Sequence, residues 1–153
     1  MVQFEMPLEM DLLFFILDST PPMKLRVMLA GNTDEYHNSK NGVYVLDESK
    51  QVNNYPYWLK TNQVDAIWWD KKNSDWKIGP KSHLGTDCCY IYAPSGDERN
   101  PNLIQSGWKY CDKNSKWQDA GPNEVIIKDC SDEAPDQSYC LQDFFQIFNH
   151  YGT

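Results

Sequence analysis

Apolar and polar residues alternate along this chain in short runs, and turn residues punctuate them. Residues 25–29 form one such run. Asn41-Gly42, a turn pair, leads into a second at 43–46, while Gly31-Asn32-Thr33-Asp34 reads as loop. A further strand fits within 52–60, where Pro56 places it near an edge. Strands follow at 67–69 and 76–78, at 88–93, at 108–110 and 117–119, and at 125–127. The stretch 94–102 (Pro-Ser-Gly-Asp-Glu-Arg-Asn-Pro-Asn) is a surface loop. No long run has helical periodicity. The pattern predicts an all-β fold: one compact antiparallel sandwich or small barrel of about eight short strands.

One segment is written twice. Trp69-Asp70-Lys71-Lys72-Asn73-Ser74-Asp75-Trp76 returns as Tyr110-Cys111-Asp112-Lys113-Asn114-Ser115-Lys116-Trp117. Each copy reads as a hairpin with a four-residue loop. Side chains alternate faces along a strand, so Trp69 then faces Trp76 and Ile67 faces Ile78 on one side. Trp68, Asp70, Asp75 and Lys77 share the other. The same register pairs Tyr110 with Trp117 and Trp108 with Asp119. That leaves Lys109, Cys111, Lys116 and Gln118 on the polar face.

The ends differ from the middle. Phe4, Met6, Leu8, Met10 and Leu12 share one parity, strand-like but broken by Pro7, and Pro21-Pro22 closes the segment. Leu141, Phe144, Phe148 and Tyr151 fall at helical spacing and predict a short amphipathic C-terminal helix, too short to stand alone in water. It must cover the domain's own surface or lie in a partner's groove. The organisation is therefore an acidic, apolar extension over 1–23, a β domain over 24–130, and an acidic linker with an amphipathic tail over 131–153.

Charge sharpens this division. The chain carries 22 acids and 14 bases. Its two ends hold eight of the acids and none of the bases, so the central domain is balanced. A balanced domain with acidic ends lacks the basic footprint that nucleic acid or anionic membrane requires. The one strongly apolar run, residues 12–17, is too short to span a bilayer, and Glu5, Glu9 and Asp11 stand where a signal peptide needs bases. Met23 could itself be a start. Cys88, Cys89, Cys111, Cys130 and Cys140 allow two disulfides with one thiol left over, or five reduced cysteines. The compartment stays open, with a slight lean to an extracellular setting.

Candidate chemistry is sparse. His37, His83 and His150 are not spaced as a ligand set, and Asp112, Asn114 and Lys116 start like a calcium loop but lack its third oxygen, Gly and closing Glu. No metal or other cofactor is expected. No nucleophile elbow or phosphate loop occurs, and a pairing of Cys88 with His83 or His37 reads as a buried cysteine and surface histidines. Asp70 and Asp75 read as turn residues. No enzyme is expected. Trp69, Trp76, Trp108 and Trp117 are assigned to the core. Trp68 lies on the polar face beside Asp70 and Lys77, either as a stacking platform or beneath a second layer. Trp58 sits in the aromatic cluster Tyr55-Pro56-Tyr57-Trp58. Candidate binding residues are thus Trp58, Trp68, Asp70 and Lys77, with Leu141, Phe144 and Phe148 of the tail.

Asn41-Gly42-Val43-Tyr44, Pro56-Tyr57-Trp58, Trp68-Trp69, Trp76-Lys77-Ile78-Gly79, Gly85 with Tyr90, Trp108-Lys109-Tyr110 and Trp117 follow one another in a recurring order. That order, over about residues 25–128, resembles an aromatic β-rich module of eukaryotic multidomain proteins. No activity is settled for that module. The resemblance implies recognition or scaffolding. The expected function is binding through protein–protein contacts or self-association. The alternative is a small carbohydrate-binding protein that stacks exposed Trp on glycan rings.

Overall fold

The computed structural model describes residues 20–94 and 99–133. Nine strands form one antiparallel sheet: β1 (Lys24–Leu29), β2 (Gly42–Leu46), β3 (Trp58–Lys60), β4 (Asp65–Asp70), β5 (Asp75–Pro80), β6 (Ile91–Ala93), β7 (Lys109–Cys111), β8 (Trp117–Asp119) and β9 (Val125–Asp129). Their spatial order is β8-β7-β6-β5-β4-β3-β2-β1-β9, so eight strands meander and the ninth returns beside the first. The sheet curls into a half-barrel. Mostly-β architecture is as the periodicity implies, but the described residues form one sheet, with no facing second layer of strands among them.

The core lies on the concave side. Leu25, Val27, Tyr44, Trp58, Ile67, Trp69, Trp76, Ile78, Ile91, Trp108, Tyr110, Val125 and Ile127 form one buried cluster. The first hairpin has its expected register, with Trp69 opposite Trp76, Ile67 opposite Ile78 and Asp70 opposite Asp75. Tyr55 stacks on Trp69 at 4.8 Å, and Trp76 meets Trp69 and Trp58 at 5.5 and 5.8 Å between ring centroids. Such tilted pairs suit the aromatic quadrupole. The buried Trp58 indole donates its N–H to the Pro22 carbonyl at 2.7 Å. Pro22, the second proline of the pair, is itself buried at the core.

The one α-helix among the described residues is α1 (Gly31–His37), where the sequence reads as loop. Glu124, on the approach to β9, makes this helix. Its carboxylate accepts the Thr33 hydroxyl at 2.9 Å and also the Asn32 and Thr33 backbone N–H groups. That satisfies the unpaired donors of a first turn from far along the chain. At the other end the Tyr36 ring stacks on Tyr110 at 5.9 Å, and His37 Nε2 meets the Cys111 carbonyl at 2.6 Å. So α1 ties β1 to β7 across the mouth of the half-barrel.

Two further expectations change. Of residues 52–60, only β3 is a strand. Val52 and Tyr55 exchange both backbone hydrogen bonds at 3.0 Å around Asn53 and Asn54, whose φ angles are 54° and 67°. Asn tolerates this left-handed conformation, so the segment reverses tightly instead of extending. The helix expected over the C-terminal tail, with Leu141, Phe144 and Phe148, lies outside the described residues, as does most of the N-terminal extension.

Candidate functional site

The second hairpin departs from the first by one residue. Cys111 lies opposite Trp117, Tyr110 opposite Gln118 and Lys109 opposite Asp119. Asp112 donates its N–H to the Lys116 carbonyl at 2.8 Å, and the Ser115 N–H reaches the Asp112 carbonyl at 3.1 Å. Ser115 has a φ of 60°. This is a three-residue loop with a left-handed closing residue, a favoured hairpin form. The cause is Asp112. Its carboxylate accepts the Asn114 and Lys116 N–H groups at 2.8 and 3.0 Å and the Gln118 side-chain amide at 2.9 Å. These bonds hold its carboxyl below the ordinary range, led by the one from Lys116.

The slip moves Trp117 from the core to the convex face. Of six Trp, five are buried and Trp117 is 44% exposed. Its ring meets Tyr92 edge-on at 4.7 Å. A single row now crosses five strands on that face: Trp68, Lys77, Tyr92, Lys109 and Asp119, each directly opposite the next. The Lys77 ammonium lies over the Tyr92 ring at 5.0 Å, a cation–π distance. At the open end of the row Lys109 pairs with Asp119 at 2.6 Å.

The closed end of the row is packed. Trp68 is fully buried, against the turn after β5, and donates its indole N–H to the Thr86 carbonyl at 3.0 Å. Tyr57, Ala66 and Trp68 form a second apolar cluster with Val52, Leu59, Leu84 and Cys89 around them. Asn53 stitches this layer down by donating to the Trp69 and Gly85 carbonyls. Tyr57 donates its hydroxyl to Asp47 at 2.5 Å. That bond, ahead of two from Ser49, holds the Asp47 carboxyl at about 2.

Asp70, Asp75 and Lys77 are not exposed turn residues. Their side chains are 3–5% exposed, with Lys77 Nζ 3.0 Å from Asp75 and 3.4 Å from Asp70. Asp70 also takes the Lys72 N–H and the Asn73 amide. Burial pushes the Asp75 carboxyl up. For Lys77 burial acts downward, but Cys89 and then the two carboxylates outweigh it and hold the ammonium high. The Cys89 thiol is itself pushed by burial up to about 12, so it is neutral at physiological pH and the carboxylates are the operative partners. This triad is buried and its members pair with one another.

Of the sequence-predicted site residues, Trp58 lies in the concave core, while Trp68, Asp70 and Lys77 gather on the convex face but beneath its surface. Leu141, Phe144 and Phe148 fall outside the described residues. Cys88 is exposed, and Cys88, Cys89, Cys111 and Cys130 are free thiols. His37 is buried rather than superficial, against Tyr90 and Tyr110. Sequence reasoning missed Trp117, Tyr92 and Lys109 as a surface group. Among the described residues, no three His, Cys, Asp or Glu lie close enough to hold a metal, and no helix is long and apolar enough to cross a membrane. No protein-family model matches the chain, and neither a curated protein nor a solved structure is detectably similar to it.

Proposed function

We propose that this domain is a recognition module that engages a protein partner, with Trp117 as its anchor. The supporting observation is the contrast within one residue type: five indoles are buried and the sixth is held in water by Tyr92 and the second hairpin. A rigid, half-exposed Trp beside an ion pair has the chemistry of an interface hot spot. Its fixed pose lowers the ordering cost of association. The convex row behind it, locked by Lys77 and its carboxylates, acts as the stiff base of that anchor. Protein is favoured over glycan because Lys109 and Asp119 already satisfy each other, and because Trp58 and Trp68 offer no face for a sugar ring.

The test is a random peptide display library and a glycan array, each probed with the wild-type chain and with Trp117→Ala. Peptide binders that lose at least tenfold in affinity with Trp117→Ala support the reading. Glycan hits that depend on Trp117, or peptide binders indifferent to it, overturn it. Thermal unfolding of the variant should stay close to wild type, since a half-exposed ring contributes little to the core.

A further inference from the structure

The two edges of the sheet are not equivalent. Along β9 the connection between β6 and β7 runs close, with Pro101 and Ile104 buried and Asn102, Ile104 and Gln105 lining a groove with β9. Along β8 nothing comparable lies among the described residues, and all three of its residues are exposed. The phase of the ladder fixes what this edge presents. Lys116 accepts from Asp112, and Ala120 donates to Trp108 at 2.9 Å, so these residues and Gln118 between them turn their backbone groups toward β7. In an antiparallel pair the alternate residues turn theirs away. The N–H and C=O groups of Trp117 and Asp119 therefore point outward from the sheet. An exposed edge of this kind is a template for another strand.

Charge defines the strand that fits. Residues 109–119 hold three lysines and two aspartates on a chain whose net charge is −8. Asp112 is occupied by its own loop and Asp119 by Lys109. Lys113 and Lys116 are exposed and form no ion pair among the described residues. The cationic surplus thus sits at the hairpin tip, where β8 begins.

We propose that the partner is an extended, acidic segment of another protein that adds to β8 as a tenth, antiparallel strand. Its backbone pairs with Trp117 and Asp119, an apolar side chain lies against the Trp117 ring, and carboxylates at its C-terminal end reach Lys113 and Lys116. This rests on the recognition reading above and adds to it the mode of binding and the chemistry of the ligand. Antiparallel addition continues the pattern of every other pair in the sheet.

The probe is the synthetic form of the peptide most enriched from the random library. Asp119→Pro removes an N–H that the ladder to β7 does not use, and an edge position facing water tolerates proline. Its affinity should fall at least tenfold below that of Asp119→Ala, which loses the same carboxylate but keeps the N–H. Equal affinities overturn strand addition and leave the Trp117 anchor standing. Loss of all Trp117 dependence removes the anchor itself. Amide exchange in the wild-type chain gives the same answer without a variant: the Trp117 and Asp119 N–H groups should gain protection when the peptide binds, and unchanged exchange overturns the proposal. The Lys113→Glu, Lys116→Glu double variant should weaken the acidic peptide at least tenfold. Undiminished binding overturns the charge assignment.

Discussion

His37 shows how one side chain should govern the response of the fold to mild acid. Its ring is buried at the end of α1, facing Tyr90, Tyr110 and the Cys111 carbonyl, with the Lys40 ammonium over the Tyr90 ring at 4.9 Å and paired with Asp65 at 2.8 Å. Burial, opposed by the Cys111 hydrogen bond and aided by Lys40, lowers its pKa from 6.5. The folded state therefore prefers the neutral ring. Below 6.5 the unfolded chain binds a proton that the folded chain resists, so this contribution is present above 6.5 and lost as pH falls through and beneath it. Asp47, Asp112, Glu124 and Glu133 also have lowered values, but their contributions vanish only below the carboxylate range near 4. Asp75, whose carboxyl burial raises, acts in the opposite sense as pH falls, so between pH 7.5 and 5.5 the His37 effect is read as the difference between wild type and a non-titrating variant at position 37. Stability should decline with a slope of at most about 1.4 kcal/mol per pH unit, the limit for one proton. His37→Gln keeps an N–H donor for Cys111 without titrating and should flatten the curve. Urea unfolding at stepped pH measures this, and an equal slope in both proteins would remove His37 as the cause.

At the scale of elements, the two hairpins and α1 separate what was legible from what was not. The first hairpin could be read because four loop residues between Asp70 and Asp75 leave each aromatic on the face its parity assigns. The second could not be read by aligning aromatics, because the turn-opening aspartate had shifted. Asp70 precedes Trp76 by six positions and Asp112 precedes Trp117 by five. Counting from the aspartate, whose carboxylate caps the N–H two residues on in both loops, turns that odd difference into a change of face. The signal was present but carried by the polar residue. For α1 there was little local signal. A seven-residue helix opening on Gly31 has no apolar period, and its cap comes from Glu124. Gly31 has a φ of 59°, and a Cβ there would meet the Glu124 carboxylate at 2.3 Å. Gly31→Ala should therefore destabilise by about 1–2 kcal/mol from the left-handed backbone alone. Displacement of the cap adds to that. A fall in the urea midpoint with unchanged slope is the expected result, and a neutral substitution would show that the helix start does not depend on this approach.

For the whole molecule, the question is how a half-barrel becomes one cooperative unit rather than a hinged ribbon. Strand pairing alone leaves β8 and β9 as opposite ends of a long meander. Two connections join them back into the core: α1, which reaches from β1 to Tyr110 and Cys111, and the β6–β7 connection, which delivers Ile104 into the same cluster as Val125, Ile127 and Trp108. Ile104 belongs to no strand, yet it is buried, while its neighbour Leu103 is 46% exposed. If closure of the core depends on this connection, Ile104→Ala should destabilise the entire domain by about 2–4 kcal/mol, as a truncation within a packed core does. Leu103→Ala should stay within about 0.5 kcal/mol of wild type. The unfolding transitions seen by Trp fluorescence and by far-UV circular dichroism should coincide in all three proteins, because the indoles and the strands report on one core. Separate transitions in Ile104→Ala alone would mean that the connection is what couples the two ends of the sheet. Equal, small effects of the two alanines would mean that the ladder holds the curl by itself.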